Sequence, residues 1–129
     1  MRIVERKWYT AYSGQKVVIS CHPDRGNDVD WKYRAHGFVD YVYSNAVVYQ
    51  RFRDRFEVKR GGGTFDLTIR SVNVNDTGQY LCIEEKGLGD IHLNNLHVTG
   101  WYYSFKTLCF LDFSFINHFV IWWRMAMYL

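Results

Sequence analysis

Three cysteines, five histidines and the run Arg60-Gly-Gly-Gly-Thr64 are the places where this 129-residue chain could hold a reactive centre, a metal or a phosphate. Spacing argues against each. A structural zinc site gathers thiolates and imidazoles at tight spacing, and no Cys-x-x-Cys occurs. His92 and His97 share one predicted strand, and His22 and His36 fall in or near predicted loops, so no metal is expected. A phosphate loop leads into a helix and usually carries Gly-Lys-Ser/Thr. Here the strand-like run TFDLTIR follows, so the glycines make a flexible hairpin turn. No serine sits in a strained elbow beside a base. No catalytic residue, no cofactor and no enzymatic activity are expected.

The chemistry that remains is a cross-link. Three cysteines leave one over after a single pairing. A lone disulfide implies an oxidising compartment, hence export. The opening MRIVERKWYTAYSG has no apolar stretch of the kind a signal peptide needs. Either the leader lies outside this sequence, or the protein is not exported. The net charge is +3 and the basic residues do not run together, so nucleic acid is not an expected partner. With 48% hydrophobic and 19% aromatic residues, the chain can bury one core of ordinary size.

The elements that must position the cysteines are strands. Up to about residue 100, apolar residues recur with period two. Val17, Ile19 and Cys21 share a face, as do Val29, Trp31 and Tyr33, then Phe65, Leu67 and Ile69, then Tyr80 and Cys82. Such alternation marks strands with one buried face. SG at 13–14, PDRGND at 23–28, SN at 44–45, RGGG at 60–63, NDTG at 75–78 and GLGD at 87–90 read as turns. In IHLNNLHV, Ile91 and Leu93 are out of phase with Leu96 and Val98, which predicts a bulge at Asn94–Asn95.

Cys21 and Cys82 thus sit on inward faces of two strands. A bridge between them would link sheet to sheet and close a loop of 61 residues. In the chain-entropy view that is worth about 4 kcal/mol. Trp31 can pack against the sulfurs. Tyr80 can send its hydroxyl back to the preceding turn, as in the tyrosine corner of immunoglobulin-like sandwiches.

The sequence resembles the immunoglobulin superfamily, variable type, in GQKVVISC, VDW, DRF at 54–56, TFDLTIRSV and DTGQYLC, pieces that together span about residues 13–82. The resemblance implies an all-β, V-type β-sandwich over 1–100, with Greek-key connections and two antiparallel sheets. The stretch between Trp31 and Phe56 has room for two extra strands, DYVYS and AVVYQ. Arg55 and Asp76 match positions that pair as a salt bridge in such domains. The last-strand Phe-Gly-x-Gly signature of rearranging antigen receptors is missing, and only IEEKGLGD separates Cys82 from Ile91. A non-rearranging cell-surface receptor or adhesion protein fits better.

From Trp101 the character changes to an apolar, aromatic-rich segment, 101–129, with Lys106, Asp112 and Arg124 as its formal charges. Two readings stand. One is a membrane anchor, although the longest charge-free run, 113–123, is shorter than the ~20 residues a span needs. The other is translated intron from an incomplete gene model, because such residues share thymine-rich codons.

Without a catalytic constellation, function must come from a surface. The resemblance places partner binding on the sheet built by the third, fourth, sixth and seventh strands. Lys32, Arg34, Tyr41, Tyr43, Leu81, Ile83 and Glu85 are the expected partner-binding residues, with Asp30, Val39, Tyr49 and His92 on the same face. Tyrosine, arginine and scattered aliphatics suit an interface. Asn75-Asp76-Thr77 is a glycosylation sequon, which requires Asn75 to point outward. The expected protein is a recognition module on the extracellular side of the plasma membrane, binding a protein ligand such as another immunoglobulin-type domain. The alternatives are a secreted innate-immune binding protein and one domain of a larger adhesion chain.

Overall fold

A computed structural model describes residues 2–24 and 27–100. The expectations for the tail, 101–129, fall outside the described residues.

Nine strands form two sheets among the described residues. β1 (Ile3–Tyr12), β9 (Ile91–Thr99), β8 (Gly78–Ile83), β3 (Asp30–Ala35), β4 (Phe38–Ser44) and β5 (Val47–Val48) make the larger sheet, in that spatial order. β2 (Val17–Ile19), β7 (Thr64–Ile69) and β6 (Phe56–Gly61) make the smaller one. All neighbours are antiparallel except β1 and β9, which run parallel. Both sheets turn their alternating apolar residues toward one shared core, the sandwich arrangement. Ile19, Val29, Trp31, Leu67, Ile69, Val72, Tyr80 and Cys82 are at most 1% exposed there.

Cys21 and Cys82 form a disulfide with Cα atoms 6.5 Å apart, joining the small-sheet side to β8. Trp31 donates its indole N–H to the Phe65 carbonyl at 3.0 Å. A buried indole needs such a partner, and this one ties the two sheets across the core. Tyr80 donates its hydroxyl to the Asp76 carbonyl at 2.6 Å, four residues back. Burial of this phenol pushes its pKa well up, so it stays a donor.

The lower end of the sandwich is closed around a short 3-10 turn, Val74–Asp76. The Asn73 side chain accepts from the Asn75 N–H, and the Asp76 carboxylate accepts from the Asn73 N–H, a reciprocal cap at 2.9 Å each. Arg55 grips the same carboxylate with both terminal nitrogens, at 2.8 and 2.9 Å. That hydrogen-bonded pairing raises the guanidinium pKa further. Tyr33, expected in the core, is only half-buried, and its hydroxyl donates to the Thr77 carbonyl at 2.7 Å.

One expectation about local structure needs correction, and two features were not foreseen. The bulge at Asn94–Asn95 does not occur, because β8 and β9 pair without a register shift from Gly78↔Leu96 to Ile83↔Ile91. Both apolar phases of β9 are used: Leu96 and Val98 face the core, while Ile91 and Leu93 face outward onto β8 neighbours. The same phase leaves Asn94 fully buried on the inward face. Its amide donates to the carbonyls of Tyr80 and His92, and its Oδ1 has no partner among the described residues. Register shifts in this sheet lie instead between β1 and β9, at Ile3–Glu5, and between β3 and β4, where Trp31 pairs Tyr43 but Lys32 pairs Tyr41. The extra residue, Val42, lets two consecutive side chains, Val42 and Tyr43, enter the core. Finally, β3 and β4 are joined at His36–Gly37, both in the left-handed region (φ 51° and 80°), a two-residue hairpin turn that was not expected.

Candidate functional site: the outer face of the six-stranded sheet

Strand alternation and register decide which side chains share this face. Two rows of directly opposed residues cross it. The first runs Tyr41, Lys32, Leu81, Leu93, Arg6 from β4 to β1. The second runs Val39, Arg34, Gln79, Asn95, Trp8. Directly opposed side chains in a sheet lie close enough to interact.

The second row is a polar ladder. Arg34 donates through Nε to Gln79 Oε1 at 2.7 Å, and Gln79 Nε2 donates to Asn95 Oδ1 at 3.1 Å. At its β1 end Trp8 is 72% exposed, the most exposed aromatic ring of β1. The first row is apolar at its centre. Leu81 and Leu93, with Ile83 and Ile91 beside them, pack into a second small cluster separate from the main core. At its β4 end the Lys32 ammonium sits 4.7 Å from the centre of the Tyr41 ring, which itself stacks on Tyr49 with centroids 5.6 Å apart. Stacked, cation-capped rings are rigid before any partner arrives, which lowers the ordering cost of binding.

Of the residues expected to meet a partner, Lys32, Arg34 and Tyr41 lie on this face. Tyr43 does not: the bulge at Val42 turns it into the core, 2% exposed. Its hydroxyl donates to Asp28 Oδ1 at 3.2 Å, and burial pushes its pKa up to about 12. Leu81 and Ile83 do face outward, but at 7% and 3% exposed they are a buried floor, not free contacts. Asp30 and His92 are also buried. Glu85 lies beyond the end of β8, where alternation no longer applies.

Arg6 and Trp8 were missed, because the first strand was not assigned. The signal was present: Lys7, Tyr9 and Ala11 alternate with Arg6, Trp8 and Thr10, and the first set faces inward.

The turn from β8 to β9 rims this face. Glu85 and Lys86 both have left-handed backbone, φ 53° and 55°, followed by Gly87 at φ 91°. Consecutive left-handed residues other than glycine are costly and must be held by their surroundings. Four bonds hold these: Lys86 N–H to the Asp28 carbonyl, Leu88 N–H to the Glu85 carbonyl, Gly89 N–H to the Glu84 carbonyl and Glu84 N–H to the Asp90 carbonyl. A Cβ at Gly87 would come within 2.6 Å of Asp30 Oδ2, so glycine is needed there for space as well as conformation. Leu88 stands out from the turn at 78% exposed.

Beneath the turn, His92 is held between two carboxylates. Nδ1 meets Glu5 Oε1 at 2.8 Å and Nε2 meets Glu84 Oε2 at 2.7 Å. Burial opposes charge on the ring, but the two carboxylates outweigh it and hold the His92 pKa above its ordinary value. The hydrogen bond to His92 in turn lowers the Glu5 pKa. The contact joins β1 to the base of the β8–β9 turn. It has no vacant ligand position, and no metal-binding cluster occurs among the described residues.

Asn75 is exposed at the opposite, lower end, beside the Arg55–Asp76 pair.

Comparison with known proteins agrees with this architecture. The first immunoglobulin domain of the mouse polymeric immunoglobulin receptor is 24% identical with a TM-score of 0.61, over 72% of this chain and 89% of that one. The ZIG-8 IG1 homodimer is 17% identical with a TM-score of 0.62, over 76% of this chain and 83% of that one. At these identities the likeness speaks to fold alone. No curated protein matches the chain. The immunoglobulin V-set domain family matches residues 4–99. Together with the sheet-bridging disulfide, the buried Trp31 and the tyrosine corner, that match means the chain belongs to the immunoglobulin V-set family.

Proposed function

We propose that the chain is a non-enzymatic recognition module, the ectodomain of an immune-type cell-surface receptor or ligand, which binds another protein through the outer face of β9, β8, β3 and β4. The observation that carries this reading is the first cross-strand row: a preformed apolar centre ended by the Lys32–Tyr41–Tyr49 stack. Aromatic anchors around a dry centre are what concentrates binding energy in interfaces. The disulfide supports an oxidising, extracellular location. The likeness to the polymeric immunoglobulin receptor and ZIG-8 domains supports a protein partner, with another immunoglobulin-type domain the first to try.

The test is binding of the full chain to an array of cell-surface ectodomains. Tyr41→Ala with Tyr49→Ala is expected to abolish capture of any ectodomain bound by the parent chain, with Tm unchanged, because both rings are exposed. Capture that survives this double substitution moves the binding site to the loops.

A further inference from the structure

Strand phase places four formally charged side chains on the outer face: Asp30, opposite Ile83, is 5% exposed and accepts from the Ser44 hydroxyl, and the three others are all cations. Arg6 comes from β1, and Lys32 and Arg34 from β3. β9, β8 and β4 add no formal charge to it. None of the three cations is in an ion pair among the described residues. Lys32 rests on a neutral ring and Arg34 on a neutral amide. The acids nearby stand at the rim and are engaged: Asp40 with Arg51, Asp90 with Arg2, and Glu84 with His92. Glu85, in the rim turn, is half-buried and also has an interaction partner.

A face that is covered by a partner must have its cations met by anions, since a buried charge without a counter-ion is strongly unfavourable. The row geometry says where those anions belong. Arg6 and Lys32 flank the Leu81–Leu93 pair, and three strand spacings separate β1 from β3, about 14 Å. Arg34 lies two residues along β3 from Lys32, about 7 Å further.

We propose that this face takes an acidic protein surface, with carboxylates set about 14 Å apart on either side of the buried Leu81–Leu93 floor. A second copy of this chain is the wrong occupant. A two-fold contact would bring the same three cations against themselves. The inference rests on the reading of this face as the binding face.

The test is a selection of displayed random peptides against the full chain, followed by affinity measurement on the enriched peptides. Enrichment in Asp and Glu is expected. Affinity should fall about tenfold from roughly 50 to 300 mM NaCl, and about tenfold in K32E/R34E. It should fall by about half as many powers of ten in K32Q/R34Q, which guards against a folding defect in the reversed variant. Tyr41→Ala should weaken the same peptides. Peptides that need Tyr41 but lack acidic residues, and ignore salt and K32E/R34E, overturn the acidic partner and leave the binding face standing. Peptides indifferent to Tyr41→Ala, or no enrichment at all, overturn both. A full chain that sediments as a dimer broken by Tyr41→Ala also overturns the proposal, because a second copy then occupies the face.

Discussion

Replacing His92 by leucine removes a cation held between two carboxylates and leaves one of them stranded. The Glu84 side chain is 6% exposed and the imidazole 8%, whereas the Glu5 side chain is 43% exposed. Breaking a buried pair by deleting one partner costs about 3–5 kcal/mol, because the surviving charge stays buried. The Glu84 share therefore dominates, and the half-exposed Glu5 contact adds less than about 1 kcal/mol after solvent screening. His92→Leu is expected to cost about 3 kcal/mol near pH 5.5, a Tm loss of roughly 15 °C for a domain of this size. The sign with pH follows from the two shifts. The His92 pKa is raised above 6.5, so its contribution is complete below about pH 6.5 and is lost as pH rises through the raised value. The Glu5 pKa is lowered from 4.5, so its contribution is present above about pH 4.5 and is lost as pH falls through the lowered value. The parent chain should therefore be most stable between these limits and weaken toward alkaline pH, and the variant should lack that alkaline fall. Adding Glu84→Leu to the variant should restore much of the loss, since an apolar pair leaves nothing unpaired. Urea unfolding of the parent, single and double variants at about pH 5.5, 7 and 8.5 measures all of this. Parallel pH profiles for parent and variant, or a double variant no better than the single one, would refute the reasoning.

Other expectations are independent of that site. Arg55→Met removes both guanidinium donors from the buried Asp76 carboxylate and leaves it the Asn73 N–H, and because Arg55 is about one-third exposed the loss is set at about 2 kcal/mol, read from the urea midpoint. Gly87→Ala should cost about 1–2 kcal/mol, from left-handed backbone and the clash with Asp30, with the amide exchange of 84–90 accelerated while the core stays protected. Asn75→Gln should remove one glycan by gel mobility when the chain is secreted from animal cells, leaving Tm within about 0.5 kcal/mol of the unglycosylated parent.

The parts of the fold that could be foreseen share one property: a polar residue on one side of the strand and an apolar one on the other. VVISC, VDWKY, TFDLTIR and QYLC each satisfy this, so their inward faces, the disulfide geometry around them and the tyrosine corner were accessible from alternation. β9 was not, because its outward positions are apolar too. Ile91 and Leu93 belong to a second cluster, and two apolar phases in one strand look like a register break when only one buried face is assumed. β4 failed for the opposite reason. FVDYVYS alternates through Val39 and Tyr41, and nothing in those residue types reveals that Trp31 and Tyr43 meet across a bulge. The partner face gained Tyr43 through the β4 error, and it lost Trp8 because β1 was not assigned.

The parallel pairing of β1 with β9 has a consequence for biosynthesis. Ile3 pairs with Ile91 and Tyr12 with Thr99, so the first strand of the domain to leave the ribosome waits for the last. Cys82 emerges before β9 is complete, which lets an oxidoreductase lock the two layers while the seat between β1 and β8 is still vacant. Until Thr99 emerges, β1 is an exposed, tryptophan-bearing edge with no neighbour to pair with, and that interval is when the nascent chain most needs a chaperone.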